Sequence, residues 1–263
     1  MRIAVQRRLG LPLTESQQAA ADGATSKHGQ RFDRYGDVAQ NDGLQGHGER
    51  HCALLDVLVA VLRSEWGGAV EKEPAAYRDY SDHRPDLTVT GVGSGGALLA
   101  GDLKLFCPIG SDAAAQLRAA YVAFGGTQPA ARLKVHGLAE RAGVGSWNWR
   151  KGTGHVAAVA GDYKRAEALG VDVRCLLIET FGGLSPAVCE VLRQIAEQRQ
   201  NRLRSDEYDY ATWSTRSWRA FAVQKLAVAT QRSAAMEIAR AMGLTTAYDT
   251  RGGLGGGPEC AVM

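Results

Sequence analysis

Residues 84–106, RPDLTVTGVGSGGALLAGDLKLF, decide the fold. Leu87 and Val89 alternate with Thr88 and Thr90, the period-two pattern of a strand with one face buried. Residues 96–109, GALLAGDLKLFCPI, predict a second and more apolar strand. GVGSGG, residues 91–96, joins them, and glycine supplies the positive φ that a tight turn needs. The stretch is therefore predicted to form an antiparallel hairpin.

Working outward, HCALLDVLVAVLRSEW reads as a buried helix from Glu49 to Trp66, closed by Gly67-Gly68. AVEKEPAAY, residues 69–77, is a weaker strand because Pro74 interrupts it. VDVRCLLIETF, residues 171–181, reads as a central strand closed by Gly182-Gly183. A helical crossover before it predicts parallel addition to the sheet. That crossover contains DAAAQLRAAYVAF (112–124), PAARLKVHGLAERAG (129–143) and HVAAVAGDYKRAEALG (155–170), each read as helical, and GVGSWNWRKGTG (143–154), read as a loop. Ser185 and Pro186 are the N-cap and first residue of another helix, and a long helix is expected from about Thr212 to Met242. Residues 14–48, polar and glycine-rich, read as irregular, and residues 251–263 as a flexible tail. The fold class is α/β, a mixed sheet flanked by helices with extra helices at the C-terminus.

The chain of 263 residues is 45% hydrophobic and 22% charged, an ordinary globular balance. Lys and Arg number 31 against 28 Asp and Glu, and the net charge of +3 is too mild to identify a nucleic-acid partner by itself. The five cysteines form no C-x-x-C pair, so they read as small buried hydrophobes in a reducing, intracellular setting. No stretch approaches the roughly 20 apolar residues of a membrane span. The N-terminus, MRIAVQRRLGLPL, lacks the apolar core of a signal peptide and reads as the start of a fragment of something longer.

Asp102 lies inside an apolar strand, where an unpaired carboxylate costs several kcal/mol. Lys104 is two residues on and shares its face. Asp86 opens the neighbouring strand directly after Pro85 and can reach that face. Two carboxylates and an ammonium at one sheet edge can hold Mg²⁺ or Mn²⁺ and position a water, which is what phosphodiester cleavage requires. Asp86 and Asp102 would ligate the metal, with the carbonyl of Leu103 as a third ligand. Lys104 would orient or activate the water and stabilise the transition state. The competing reading is a structural ion pair beside a turn aspartate.

Asp162-Tyr163-Lys164 repeats the D-x-K pattern, but in a helical context, and reads as a solvated helix face. Asp56 interrupts an apolar helix and is either a further catalytic acid or an exposed residue, with Glu49 competing for the role. His51 either contacts phosphate or caps the helix. The region from Arg193 to Arg251 interleaves arginines with Tyr208, Tyr210, Trp213 and Trp218, a combination suited to nucleic-acid backbones. Arg216 and Arg219 there, and Lys164 outside it, are candidate nucleic-acid contacts.

Arg84-Pro85-Asp86 and Gly101-Asp102-Leu103-Lys104, preceded by an acid-bearing helix, resemble the PD-(D/E)xK, or restriction-endonuclease-like, superfamily. The resemblance implies an α-βββ-α-β core, acids that bind Mg²⁺, and a lysine that assists the water. A narrower resemblance covers most of the chain. MRIAVQRRLGLPL, DRYGD, RHCALLD, RPDLTV with GDLKLF, LLIETFGGLSP and WRAFAVQKLAVATQR, in that order, look like the region after the reverse transcriptase in algal and other eukaryotic retroelements. That implies a DNA endonuclease acting in the nucleus to prime or place insertion.

Two features depart from the family pattern. The family carries a Cys/His cluster before the first helix, whereas ATSKHGQRFDRYGDVAQND (24–42) has no cysteine, so residues 1–48 read as a degenerate zinc-knuckle-like region that does not hold zinc. Residues 111–153 read as an insertion within a nuclease-like domain spanning 49–250. The alternative to an active endonuclease is an inactive or domesticated remnant that binds nucleic acid or protein. A junction-resolving or repair nuclease on the same fold is a more distant alternative.

Overall fold

The structure is a computed structural model that describes residues 2–26, 28–41, 47–75, 83–106, 137–138, 141–142, 155–156, 159–160, 162–212 and 215–243. The expected helix at 112–124, the loop with two tryptophans at 143–154 and the tail at 251–263 lie outside these residues.

Its centre is a four-stranded mixed sheet. Strands β1 (Val70–Lys72), β2 (Leu87–Val89) and β3 (Leu99–Phe106) form an antiparallel meander, and β8 (Asp172–Glu179) adds parallel to β3. The hairpin and the parallel addition are thus as the sequence predicts. Helix α4 (His47–Trp66) precedes the meander and ends where Gly67 takes a φ of +52°. The weak first strand shrinks to three residues, because Glu73 turns to a φ of +46° and Pro74 follows it.

The sheet has two unlike faces. Leu87, Val89, Leu99 and Leu103 enter the main core with Leu54, Leu55, Leu58 and Leu62 of α4. Helices α6 (Pro186–Gln198) and α8 (Trp218–Ala241) complete that layer through Val191, Leu192, Ile195, Phe221 and Leu226. Alternation sends Ala100 and Asp102 to the opposite face, where Val173, Cys175, Tyr163 and Ala166 form a smaller cluster under α5 (Lys164–Ala168). Ser185 caps α6 as expected, its hydroxyl accepting from the amide of Val188. The long helix starts six residues later than predicted, at Trp218, with Ser217 as its cap.

Gly101 is hemmed in by leucines on the two neighbouring strands, Leu87 of β2 and Leu176 of β8. A Cβ there would stand 2.7 Å from a methyl of Leu176 and 3.0 Å from one of Leu87. Both leucines are fully buried, so neither can yield.

Three sequence expectations need correction. Residues 14–48 are not irregular throughout: α2 (Thr14–Ala21) and α3 (Asp37–Asn41) lie within them, after α1 (Arg2–Arg8). These helices are short and polar, and tertiary contact holds them. Leu13, Phe32, Val38 and Ala39 close against Ile238 of α8, while Arg7 bonds the carbonyl of Tyr35, pairs with Asp37 at 3.2 Å and lies 4.8 Å over the Phe181 ring. Second, residues 137–138, 141–142, 155–156 and 159–160 are not helical. Strands β4 (Gly137–Leu138), β5 (Arg141–Ala142), β6 (His155–Val156) and β7 (Val159–Ala160) pair β4 with β7 and β5 with β6, both antiparallel. Third, Cys52 is disulfide-bonded, whereas Cys189 is a free thiol.

Helices α4 and α8 are clamped by a buried ion pair, Arg50 to Glu237 at 2.5 Å, and by Glu49 with Arg240 at the surface. Burial pushes Glu237 up to about 7, against the pull of Arg50 and Arg7. Between pH 4.5 and about 7 the folded chain therefore holds a proton that the unfolded chain has released, and stability falls as pH rises through that window. Glu237→Gln should flatten this slope in Tm measured against pH. Gly101→Ala should cost about 1–3 kcal/mol of strain, read calorimetrically as a Tm lower by roughly 2–12 °C.

Candidate active site

Asp102 is the most buried charged member of the site, 6% exposed on the inner strand β3. Its Oδ2 accepts from Lys104 Nζ at 2.6 Å, and its Oδ1 from the Tyr163 hydroxyl at 3.2 Å. Burial raises the Asp102 pKa, and the charge of Asp86 adds to that, while Lys104 and Tyr163 pull it down. Burial lowers the Lys104 pKa, but Asp102 and Asp86 outweigh it, so the ammonium form is favoured.

Asp86 reaches the same place from β2. The paired register runs Val89 with Leu99 to Leu87 with Gly101, and one further step sets Asp86 opposite Asp102. Asp86 Oδ2 accepts the amide N–H of Leu103 at 2.5 Å. The two acids therefore bracket Leu103, one through its backbone and one as its chain neighbour. Pro85, with its fixed φ, aims the residue that follows it.

His51, in the second turn of α4, donates from Nε2 to Asp86 Oδ2 at 3.2 Å and hydrogen-bonds the backbone of Leu103. It does not cap the helix. Burial would lower its pKa, but the hydrogen bond and charge of Asp86, with the Leu103 carbonyl, raise it overall.

The structure brings Asp86, Asp102, Leu103, Lys104 and His51 together, and it separates the other candidates. Asp56 lies five residues from His51, about 140° around a helix of 3.6 residues per turn. It is exposed and pairs with Lys72 at 2.8 Å. Glu49 is engaged with Arg240. Arg216 and Arg219 are exposed at the start of α8. Arg50, the neighbour of His51, meets Glu237 near the other end of that helix, and Glu237 itself is 18 residues or about 27 Å along the axis from Arg219 at 1.5 Å per residue. Within the basic C-terminal region, Arg193, Arg199, Arg204 and Arg240 are ion-paired to glutamates.

The D-x-K look-alike is the surprise. It is not a solvated helix face, because Tyr163 is 2% exposed and reaches Asp102. Asp162 pairs with His83 at 3.7 Å, next to Arg84. Lys164 alone fits the sequence expectation, being exposed at the first position of α5. The signal that could have found Tyr163 was an aromatic between two charges just before an apolar strand.

Among the described residues no group of three or more His, Cys, Asp and Glu side chains is arranged to hold a metal ion. The candidate donors Asp86, Asp102 and the Leu103 carbonyl all offer hard oxygens. Mg²⁺ suits such a set, since it commonly takes one or two carboxylates and keeps several waters. No family model matches the chain, nor does any curated protein or solved structure.

His51 gives a direct check on the electrostatics. In the native protein its pKa, followed by NMR of the ring, should lie above the usual 6.5. Asp86→Asn removes the opposing charge and leaves only the Leu103 hydrogen bond against burial and the charge of Lys104, so the pKa should fall from its native value. The wild-type pair should stabilise the fold fully below the unfolded value and lose that contribution as pH rises through the folded one.

Proposed function

We propose that this protein is a Mg²⁺-dependent DNA endonuclease of the PD-(D/E)xK, restriction-endonuclease-like type, allied to the nuclease that follows the reverse transcriptase in retroelements. The observation that carries the reading is the convergence of Asp86 and Asp102 on Leu103, with Lys104 paired to Asp102 on the same face. The order of helix, three-strand meander and parallel strand agrees with the core that this type of nuclease requires.

Asp86, Asp102 and the Leu103 carbonyl would hold the metal. Bound there, Mg²⁺ supplies charge to the scissile phosphate and acidifies a water. Lys104 supplies a fixed positive charge beside the reacting phosphate and orients the water with its N–H groups. His51 can donate to a phosphate oxygen or to the carboxylate it now holds. Among the described residues no helix is long and apolar enough to cross a membrane. DNA is the proposed partner, and the retroelement likeness carries a nuclear location with it.

One observation favours a second reading, a binding module without catalysis. Lys104, Tyr163, His51 and the Leu103 amide already satisfy both carboxylates, as a purely structural network would.

Asp102→Ala separates the two. Wild-type protein should nick supercoiled plasmid with Mg²⁺ and not with EDTA. Loss of a metal ligand removes several kcal/mol of charge stabilisation, so Asp102→Ala should be at least about 100-fold slower. Nicking that persists in Asp102→Ala places the chemistry elsewhere. A wild type that binds DNA yet never nicks it establishes the second reading.

A further inference from the structure

We infer that Tyr163 is the positioning residue of this site, its hydroxyl tying the two acid-bearing strands together and fixing the Asp102 carboxylate. The inference rests on the reading of Asp86 and Asp102 as metal ligands and adds to it a residue from outside the hairpin.

The phenol oxygen stands 3.2 Å from Asp102 Oδ1 and 3.3 Å from the carbonyl of Arg84. Asp102 belongs to β3, and Arg84 lies two residues before Asp86, across the stiff Pro85. One hydroxyl thus touches the first acid directly and the turn that aims the second. A buried tyrosine needs some acceptor for its proton, but here both acceptors belong to the acid pair. The phenol has a single proton to share between them, and the ionised carboxylate makes the stronger bond.

The remaining oxygen of Asp102 is held by Lys104 at 2.6 Å. With a donor on each oxygen, the carboxylate plane is set. Lys104 alone would leave it free to rotate about the bonded oxygen. The tyrosine is itself held: its ring sits in the cluster with Ala100, Val173 and Cys175, and His83 lies against it with centroids 6.4 Å apart. His83 pairs in turn with Asp162, the residue before Tyr163.

Partners that orient a metal ligand commonly contribute 10- to 100-fold in metal affinity. Tyr163→Phe keeps the ring and removes the hydroxyl. Mn²⁺ binding, followed by EPR of the free ion, should weaken about 10- to 100-fold, while Tm stays close to wild type. Nicking should need correspondingly more Mg²⁺ and recover at saturation. A crystal structure of the variant should show the Asp102 carboxylate turned from its present plane. Tyr163→Leu, which also removes the ring, should lose Tm as well and so separates packing from the hydroxyl. Wild-type Mn²⁺ affinity in Tyr163→Phe, or an unmoved Asp102, overturns the inference. Failure of the metal-site reading looks different: wild type and Asp102→Ala would then bind Mn²⁺ equally or not at all, and the carboxylate orientation in Tyr163→Phe would still decide what the hydroxyl does.

Discussion

A carboxylate on an inner strand must be compensated where it stands, and the burial of Asp102 constrains much of what surrounds it. Strand β3 has neighbours on both sides, β2 and β8, so Asp102 cannot escape to an open sheet edge. In the parallel register it lies beside Cys175. Lys104 is the nearest cation the strand can supply, and Tyr163 the donor that the crossover brings in. Neither removes the cost completely, since burial still raises the Asp102 pKa.

The helical layer matters because it fixes one side of that arrangement. Arg50 and His51 are adjacent, and about 100° separates them around α4. Arg50 turns into α8 and meets Glu237, while His51 turns to the sheet and meets Asp86. The Arg50–Glu237 clamp therefore sets the rotation and height of α4, and with them the reach of His51. Asp56 with Lys72 ties the next turns of the same helix to β1. The N-terminal segment extends the construction by covering the end of α8 and seating Arg7 against Phe181, in the loop after β8.

Local pattern and long-range contact divided the evidence unevenly. The hairpin, the buried helix and the parallel strand were legible because each carries its own periodicity and its own glycine or proline punctuation. Asp86, Asp102 and Lys104 were legible for a related reason: the two-residue repeat of a strand fixes which side chains share a face. The N-terminal helices were not legible. They are short, polar and stabilised by α8, some two hundred residues away. The pairing of 137–138 with 159–160 and of 141–142 with 155–156 was also hidden, because alanine-rich sequence satisfies helix propensity while cross-strand partners decide for a sheet.

What the sequence by itself determined is the acid pair, its lysine and the strand that carries them. These follow from burial cost and from a face set by adjacent residues. What only the tertiary structure decided is who completes the group. His51 was preferred over Asp56 because the clamp to α8 sets the rotation of α4. Tyr163 was drawn in from a segment that looked like a helix surface, because the crossover folds back over Asp102. Both outcomes depend on contacts between residues far apart in the chain, which one-dimensional pattern does not encode.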